Sequence, residues 1–155
     1  ADVAIHALKA LQTPSRKFGY VALLQPTSPL RTGKHIDLGF DLFAKVGATA
    51  VIGVCETEKP IDWMGKLGVD LNMTEMSKKV TEPQENSSQL LNCQVNGAIY
   101  IISASALLKE RTFFPKNGSY AFLMDRRSSV DIDNEEEFQI ASMFMQERMR
   151  KGVDE

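Results

Sequence analysis

Apolar positions in the first part of the chain occur first at helical spacing and then as a short continuous run. Val3, Leu8 and Leu11 share one side of an amphipathic helix, which we expect to end near residues 13–15, where Thr-Pro-Ser follows. Residues 20–24, Tyr-Val-Ala-Leu-Leu, form an unbroken apolar run, which predicts a strand buried on both faces. The pattern therefore begins with a helix and continues with a strand.

A second helix and a second buried strand follow. Thr32 or Gly33 can cap a helix from about residue 34 to residue 45, and Gly47 is expected to stop it. Residues 49–55 are again continuously apolar and predict a strand. A strand, a helix and a strand in this order predict a right-handed crossover, so the expected class is α/β.

The periodicity fails between residues 56 and 94, which we interpret as an insertion in a single domain spanning residues 1–155. Within it, residues 63–71 could form a short apolar hairpin, a kind of excursion that often packs on a second subunit. A surface loop is the alternative, and the pattern does not decide between the two. Regular elements then resume, and we expect strands at 98–102 and 120–124, with a short helix between them that Ser103 or Ser105 caps and that runs through Leu108. An extended segment at 129–133 and a last helix from Glu135 to about Arg150 should follow.

Composition and charge narrow the class of partner. The chain has 18 basic and 20 acidic residues and a formal charge of -2, which gives no general electrostatic basis for binding nucleic acid or an anionic membrane. Its two cysteines lack metal-ligand spacing, and no apolar run is longer than a strand. A cytoplasmic protein that binds small molecules is expected.

The first candidate for chemistry is the sequence Leu-Gln-Pro-Thr-Ser-Pro-Leu-Arg at residues 24–31, where the first strand ends. Ligands bind at the carboxyl ends of strands in open α/β sheets. Gln25, Thr27, Ser28 and Arg31 offer an amide, two hydroxyls and a guanidinium, which suit sugar hydroxyls, a carboxylate or a phosphate. A proline-shaped turn that satisfies its own backbone remains an equal alternative.

The second candidate is Asn-Gly-Ala-Ile-Tyr at residues 96–100. Asn96 and Gly97 permit a turn through positive φ or the close approach of a ligand, just before a strand. Tyr100 lies two residues beyond Ala98, so its hydroxyl could enter a pocket walled by that small side chain. A turn followed by a core tyrosine is the alternative.

An aromatic pair, Phe113 and Phe114, follows the expected short helix. Such pairs usually belong to a hydrophobic core. An acyl group on a sugar would also pack against such a surface, so both interpretations stay open.

The third candidate is Ser-Val-Asp-Ile-Asp at residues 129–133. In an extended strand Asp131 and Asp133 project to the same side, and paired carboxylates suit a hard cation such as Mg²⁺. The alternative is structural, because Asp133 and Glu136 resemble a helix capping box; Asn134 could also take the cap.

In this order, LLQPTSPLR, NGAIY and SVDID resemble the motifs of acylneuraminate cytidylyltransferases, which make CMP-sialic acid. The resemblance extends from the first helix to the last. It implies a Rossmann-like nucleotidyltransferase fold with three layers and a mostly parallel sheet, homodimerisation through residues 56–95, CTP as co-substrate and Mg²⁺ as cofactor. It also implies a sugar pocket lined by Gln25, Tyr100, Phe113 and Phe114, with Asp131 and Asp133 as catalytic metal ligands.

Two departures from that family shape further expectations. A glycine-rich, basic loop for the triphosphate usually stands near the start of family members, and no such segment precedes Ala1. We therefore expect this chain to lack the first strand and that loop, and to be inactive by itself. A noncatalytic module that binds sugar or dimerises is the alternative function.

The second departure concerns the sugar. Residues 86–95 contain no basic side chain, whereas relatives are expected to carry arginines there that hold the sugar carboxylate. A modified nonulosonic acid, of the legionaminic or pseudaminic type, is then favoured over N-acetylneuraminic acid. The motif after the first strand counts against the eight-carbon sugar KDO.

Overall fold

The computed structural model describes residues 1–57, 59–81 and 91–152. The chain divides into two compact units. The larger one comprises Ala1–Cys55 together with the chain from Val95 onward, and the smaller one comprises Glu56–Gln94. Within the described ranges no helix is both long enough and apolar enough to cross a membrane.

Helices and strands alternate along the larger unit, which confirms the α/β class. The last helix has the predicted bounds, and the second helix is one residue longer at each end than predicted. The label α3 belongs to a helix of the smaller unit, described below. The other elements in chain order are α1 (Asp2–Leu11), β1 (Tyr20–Leu23), α2 (Gly33–Val46), β2 (Ala50–Glu56), β3 (Cys93–Ser103), α4 (Ala104–Glu110), β4 (Ser119–Leu123) and α5 (Glu135–Arg150). A 3-10 turn at Arg127–Ser129 lies between β4 and α5.

The four strands found in the described chain form one sheet in the order β1-β3-β2-β4. β1 pairs antiparallel with β3, and β2 pairs parallel with β4. Backbone hydrogen bonds from Ser103 to Thr49 and from Thr57 to Asn92 show that β3 also runs antiparallel to β2. Three strands therefore share one direction, and the first residues of β3 lie beside the carboxyl ends of the others.

The core lies on both faces of β3, whose middle residues are buried. Ile99 and Ile101 are fully buried on one face against Phe43 of α2. Ile102 is fully buried on the other face with Leu107 of α4 and a residue of α1. Helices therefore cover both faces of the sheet, which gives the three layers expected of a Rossmann-like fold.

β1 differs from its prediction. It was expected to be buried on both faces, yet Tyr20 is 55% exposed and the strand alternates between exposed and half-buried residues. The reason is its position, since β1 is an edge strand of the described sheet and pairs only with β3. The outer part of Tyr20 instead packs edge-on against Phe43, with ring centroids 5.2 Å apart.

Residues 59–81 of the smaller unit contain no hairpin, so the hairpin alternative for residues 63–71 is wrong. A 3-10 turn at Ile61–Trp63 is followed by a helix, which we call α3, at Thr74–Thr81. Asn72 accepts a hydrogen bond from the Thr74 backbone N–H (2.9 Å) and so helps to start this helix. Eight residues with a largely polar surface give too little periodicity for a helix to be predicted.

Apolar side chains are exposed on this smaller unit. Trp63, Leu67 and Leu71 are each at least half exposed. Homodimerisation through this segment stays a prediction.

Side chains at helix ends fix where the chain turns toward the sheet edge. Thr32 caps α2 in a reciprocal capping box with His35, and Gly47 ends that helix with φ of 62°. Ser103 caps α4, and Asn134 caps α5 by accepting the Glu137 backbone N–H at 2.9 Å. These observations confirm the caps expected from the sequence and assign the α5 cap to Asn134 instead of Asp133.

We predict that Asn134→Ala lowers the free energy of unfolding by about 1 kcal/mol, because the first turn of α5 loses its side-chain acceptor. Urea denaturation followed by far-UV circular dichroism measures the change. Asn134→Ser, which keeps an acceptor, is the control and should stay close to the parent protein. Equal loss in both variants would contradict a capping role.

Candidate functional site at the end of strand β1

The three sequence motifs meet at one edge of the sheet. Residues 24–31 leave the carboxyl end of β1, and residues 129–133 lie between β4 and α5. Residues 96–100 lie inside β3, so Asn96 and Gly97 form no reverse turn, although Gly97 has the positive φ expected from the sequence. Because β3 runs opposite to its neighbours, its early residues reach the edge where the other strands end.

Residues 129–133 are also not a strand, contrary to prediction. Ser129 ends a 3-10 turn, and the chain then continues without a ladder toward α5. A single backbone hydrogen bond, from Ile132 N–H to the Thr27 carbonyl (2.8 Å), joins this segment to the loop after β1. That bond brings the first and third motifs side by side.

Residues of all three motifs come together at Gly97. Its φ is +73°, and a Cβ built there would lie 2.6 Å from Gln25 Oε1, 3.1 Å from Asp131 Oδ2 and 3.4 Å from Ser28 Oγ. Two residues of the first motif and one residue of the third therefore lie around Gly97. Glycine is required because a side chain would both occupy this space and strain the backbone.

Arg31 fastens the loop to β3. Its Nη1 donates to the carbonyl of Ala98 (2.7 Å) and to the carbonyl of Gln25 (3.2 Å). Burial lowers the pKa of Arg31. Arg31 was predicted as a substrate ligand; in this structure one nitrogen of its guanidinium holds the loop, and Ala98 is fully buried beneath it.

Asn96 and Ser28 form a buried polar layer under Gly97. The side-chain nitrogen of Asn96 donates to Ser129 Oγ (2.9 Å) and Met124 Sδ (3.3 Å), while its oxygen accepts from Ala98 N–H (3.1 Å). Ser28 is fully buried and donates to the Asn96 carbonyl (3.5 Å). Both residues were predicted to bind substrate, but these contacts point into the protein.

Asp131 differs from those residues. Its Oδ1 is the one buried side-chain oxygen or nitrogen in the described ranges that lacks a hydrogen-bond partner. Asp133, by contrast, is exposed, and its backbone N–H donates to Glu137 Oε2 (2.8 Å). No cluster of three metal-ligating side chains occurs among the described residues, so a cation held here would need oxygens from outside these side chains.

An aromatic group borders the same edge. The Tyr100 ring lies 5.8 Å from that of Phe113 and 6.0 Å from that of Phe114, measured between centroids. Phe113 is buried, whereas Phe114 is 54% exposed. Burial raises the pKa of Tyr100, and the charge of Asp131 raises it further, so its hydroxyl stays protonated at neutral pH and can donate a hydrogen bond.

Sequence reasoning did not single out Asp125 or assign a role to Ser129. Ser129 Oγ donates to the Asp125 carbonyl (2.7 Å), and the Asp125 carboxylate accepts the Ser128 backbone N–H (3.0 Å). Burial alone would raise the pKa of Asp125, but the hydrogen bonds from Ser128 and Arg127 and the charge of His35 together outweigh it, so the pKa is lowered. The sequence signal that could have pointed to these residues is the pair of adjacent serines, Ser128 and Ser129, just before Asp131.

These features define an α/β protein of the Rossmann-like class with a polar site at the carboxyl edge of its sheet. Comparison with known sequences gives relatives that carry a more specific name. A protein of Escherichia coli O18:K1:H7 named N-acylneuraminate cytidylyltransferase is 31% identical over 134 residues, which is 86% of this chain and 31% of that protein. Two proteins of the same name from Streptococcus agalactiae, serotypes V and III, are each 29% identical over 75% of this chain and 28% of their own length.

These relatives confirm the resemblance carried by the three motifs. The chain spans about a third of the length of the curated relatives it matches. No protein-family model matches the chain.

We predict that Gly97→Ala destabilises the protein by about 1–2 kcal/mol, because alanine at φ of +73° is strained. The new methyl group would also displace the flexible end of Gln25. Gly33→Ala, at a helix start with no atom within 4 Å of its Cβ, is the control and should be neutral or slightly stabilising. Urea unfolding of both variants tests this, and equal stabilities would contradict the strained geometry at residue 97.

Proposed function

We propose that the complete protein transfers CMP from CTP to an N-acylated nonulosonic acid and releases pyrophosphate. The observation that carries the proposal is the convergence of Gln25 and Asp131 on the bare peptide of Gly97. The names of the curated relatives support it. Cytidylyl transfer needs a pocket that binds a polyanionic nucleotide and an anionic sugar next to a group able to hold a divalent cation, and this edge offers polar side chains of the required kinds.

In the proposed reaction the anomeric hydroxyl oxygen of the sugar forms a bond to the α-phosphorus of CTP. The bond from that phosphorus to the bridging oxygen breaks, pyrophosphate leaves with the electron pair, and the hydroxyl proton is released. Transfers of this kind depend chiefly on positioning and electrostatic stabilisation. In this proposal Gln25 and Tyr100 orient the sugar hydroxyl, and the site keeps the negatively charged groups of the substrates in position.

The residues at this edge fit a magnesium ion. Asp131 presents a buried carboxylate oxygen without a partner, and Asp133 adds a second carboxylate nearby in sequence. Mg²⁺ is often held by one or two carboxylates, with waters and substrate phosphates completing its shell. When bound, such an ion would neutralise the charge of the phosphates.

The aromatic group supports an acylated sugar. Phe114 exposes its ring beside Tyr100, so an N-acyl group could lie on an apolar surface while the tyrosine hydroxyl meets a polar atom. The arginine-free segment at 86–95 falls partly outside the described residues, which resume at Leu91. Preference for a modified nonulosonic acid therefore stays a prediction.

We predict that Asp131→Asn lowers pyrophosphate release by the complete protein on the order of a hundredfold or more, since the amide cannot replace the charge needed beside a cation. Asp133→Asn should act in the same direction. The assay varies Mg²⁺ at saturating CTP and acceptor. Asp41→Asn, an exposed carboxylate on α2, serves as control and should remain near the parent rate. Normal turnover in both active-edge variants at ordinary Mg²⁺ would refute the metal assignment.

We predict that Phe114→Ala raises KM for an N-acylated acceptor by roughly tenfold, because an apolar contact worth about 1–2 kcal/mol is lost. The de-N-acylated sugar should be affected much less. Phe138→Ala removes a ring of similar exposure from α5 and provides the matched control.

Efficiencies with N-acetylneuraminic, legionaminic, pseudaminic and KDO acceptors are measured in parallel, and highest efficiency with KDO would overturn the proposed sugar class. Acceptor binding without turnover in the complete protein would instead favour a noncatalytic module.

A further inference from the structure

Asn96 is one of four buried polar residues in the described chain, and the residue as a whole is only 3% exposed. Both of its amide N–H groups have partners, at Ser129 and Met124, and its oxygen accepts from the Ala98 backbone. A buried amide without partners would cost about 1–3 kcal/mol. This set of contacts therefore strongly favours one orientation of the side chain.

The chain makes room for Asn96 on the neighbouring strand. A Cβ at Gly53 of β2 would lie 2.6 Å from Asn96 Oδ1 and 3.3 Å from the backbone of Ile99. The absence of a side chain at residue 53 lets the amide lie between β2 and the turn that follows β4. The amide thus reaches across the sheet edge to a segment that is distant in sequence.

The segment it reaches carries Asp131. Ser129, which accepts from Asn96, is also held by its own hydrogen bond to the Asp125 carbonyl (2.7 Å) and lies two residues before Asp131. On the other side, Ile132 is bonded to Thr27. Asp131 therefore lies between two hydrogen-bonded residues, Ser129 and Ile132. The hydrogen bonding of Ser129, on its amino-terminal side, involves Asn96.

We propose that Asn96 is a positioning residue that holds the Asp131 carboxylate at Gly97 through Ser129. This inference rests on the proposed function, in which Asp131 binds the cation. Residues that orient a metal ligand from behind typically contribute 10- to 100-fold to metal affinity. Asn96 does so without contacting substrate or cation.

The test uses the complete protein and Mn²⁺ as a paramagnetic probe, with the binding constant measured by electron paramagnetic resonance. Ser129→Ala removes the acceptor of the Asn96 amide, and Asn96→Asp removes the donor while retaining the shape. Both should weaken Mn²⁺ binding about tenfold. Ser129→Thr, which keeps the hydroxyl, should bind as the parent does. Asp131→Asn gives the reference loss.

Ser119→Ala is the matched control for Ser129→Ala, because Ser119, the first residue of β4, also donates a serine-to-carbonyl hydrogen bond, to Pro115 (3.1 Å). Thermal unfolding and acceptor KM are recorded for every variant. A structural role alone would lower the unfolding midpoint and leave Mn²⁺ affinity unchanged in the folded protein. If Asn96→Asp does not fold, Ser129→Ala and Ser129→Thr still decide the question.

Two outcomes overturn the inference and are distinguishable. Parent-like Mn²⁺ binding by Ser129→Ala, with weakened binding by Asp131→Asn, overturns the positioning role and leaves the proposed function in place. Parent-like binding by Asp131→Asn as well overturns both, because Asp131 would then not hold the cation. Weakened binding by Ser129→Ala and its recovery in Ser129→Thr support the proposal.

Discussion

A glycine in a left-handed conformation inside a strand is the constraint on which this site depends. Gly97 has a positive φ within β3, and its missing side chain leaves space for Gln25 and Asp131. A side chain there would strain the backbone and push the motifs apart. The reversed direction of β3 adds to this effect, because it places residues from the start of one strand beside residues that follow the ends of two others.

Polar groups at this edge differ in how they are satisfied. Asn96 and Ser28 are buried and hydrogen-bonded, so they stabilise the arrangement and leave few polar atoms free. Asp131 carries an oxygen that is equally buried and has no partner. Because such a group destabilises a fold, an external partner that satisfied it would gain binding energy from doing so. The contrast separates residues that build the site from a residue that can act in it.

Local signals predicted much of the architecture. The last helix and the glycine end of α2 follow from side chains within one turn of each feature, so a linear pattern contains the information. The α/β class follows for the same reason. The cap of the last helix was open between Asp133 and Asn134 until the structure assigned it to Asn134. The three motifs were also recognisable as a group, but through their joint resemblance to one family and not through their spacing.

What the sequence could not predict depends on contacts between distant residues. Asn-Gly is typical of turns, and only pairing with the neighbouring strands keeps residues 96 and 97 inside β3. Alternation at 129–133 is typical of a strand, yet one bond to Thr27 and the turn ending at Ser129 replace a ladder. Likewise, nothing in the local pattern at residues 20–24 tells an edge strand from a central one. In each of these cases the local structure depends on which strands or hydrogen-bonding groups lie next to it in the folded chain.

The contact between Gly53 and Asn96 also bears on how such a protein can change over evolutionary time. The two residues lie on adjacent strands, and the amide occupies the volume that a methyl group at residue 53 would need. A lineage that gains any side chain at 53 while asparagine remains at 96 passes through an overcrowded intermediate. The order of substitutions is therefore restricted: position 96 must shrink first, and the two positions should co-vary in descendants of this chain.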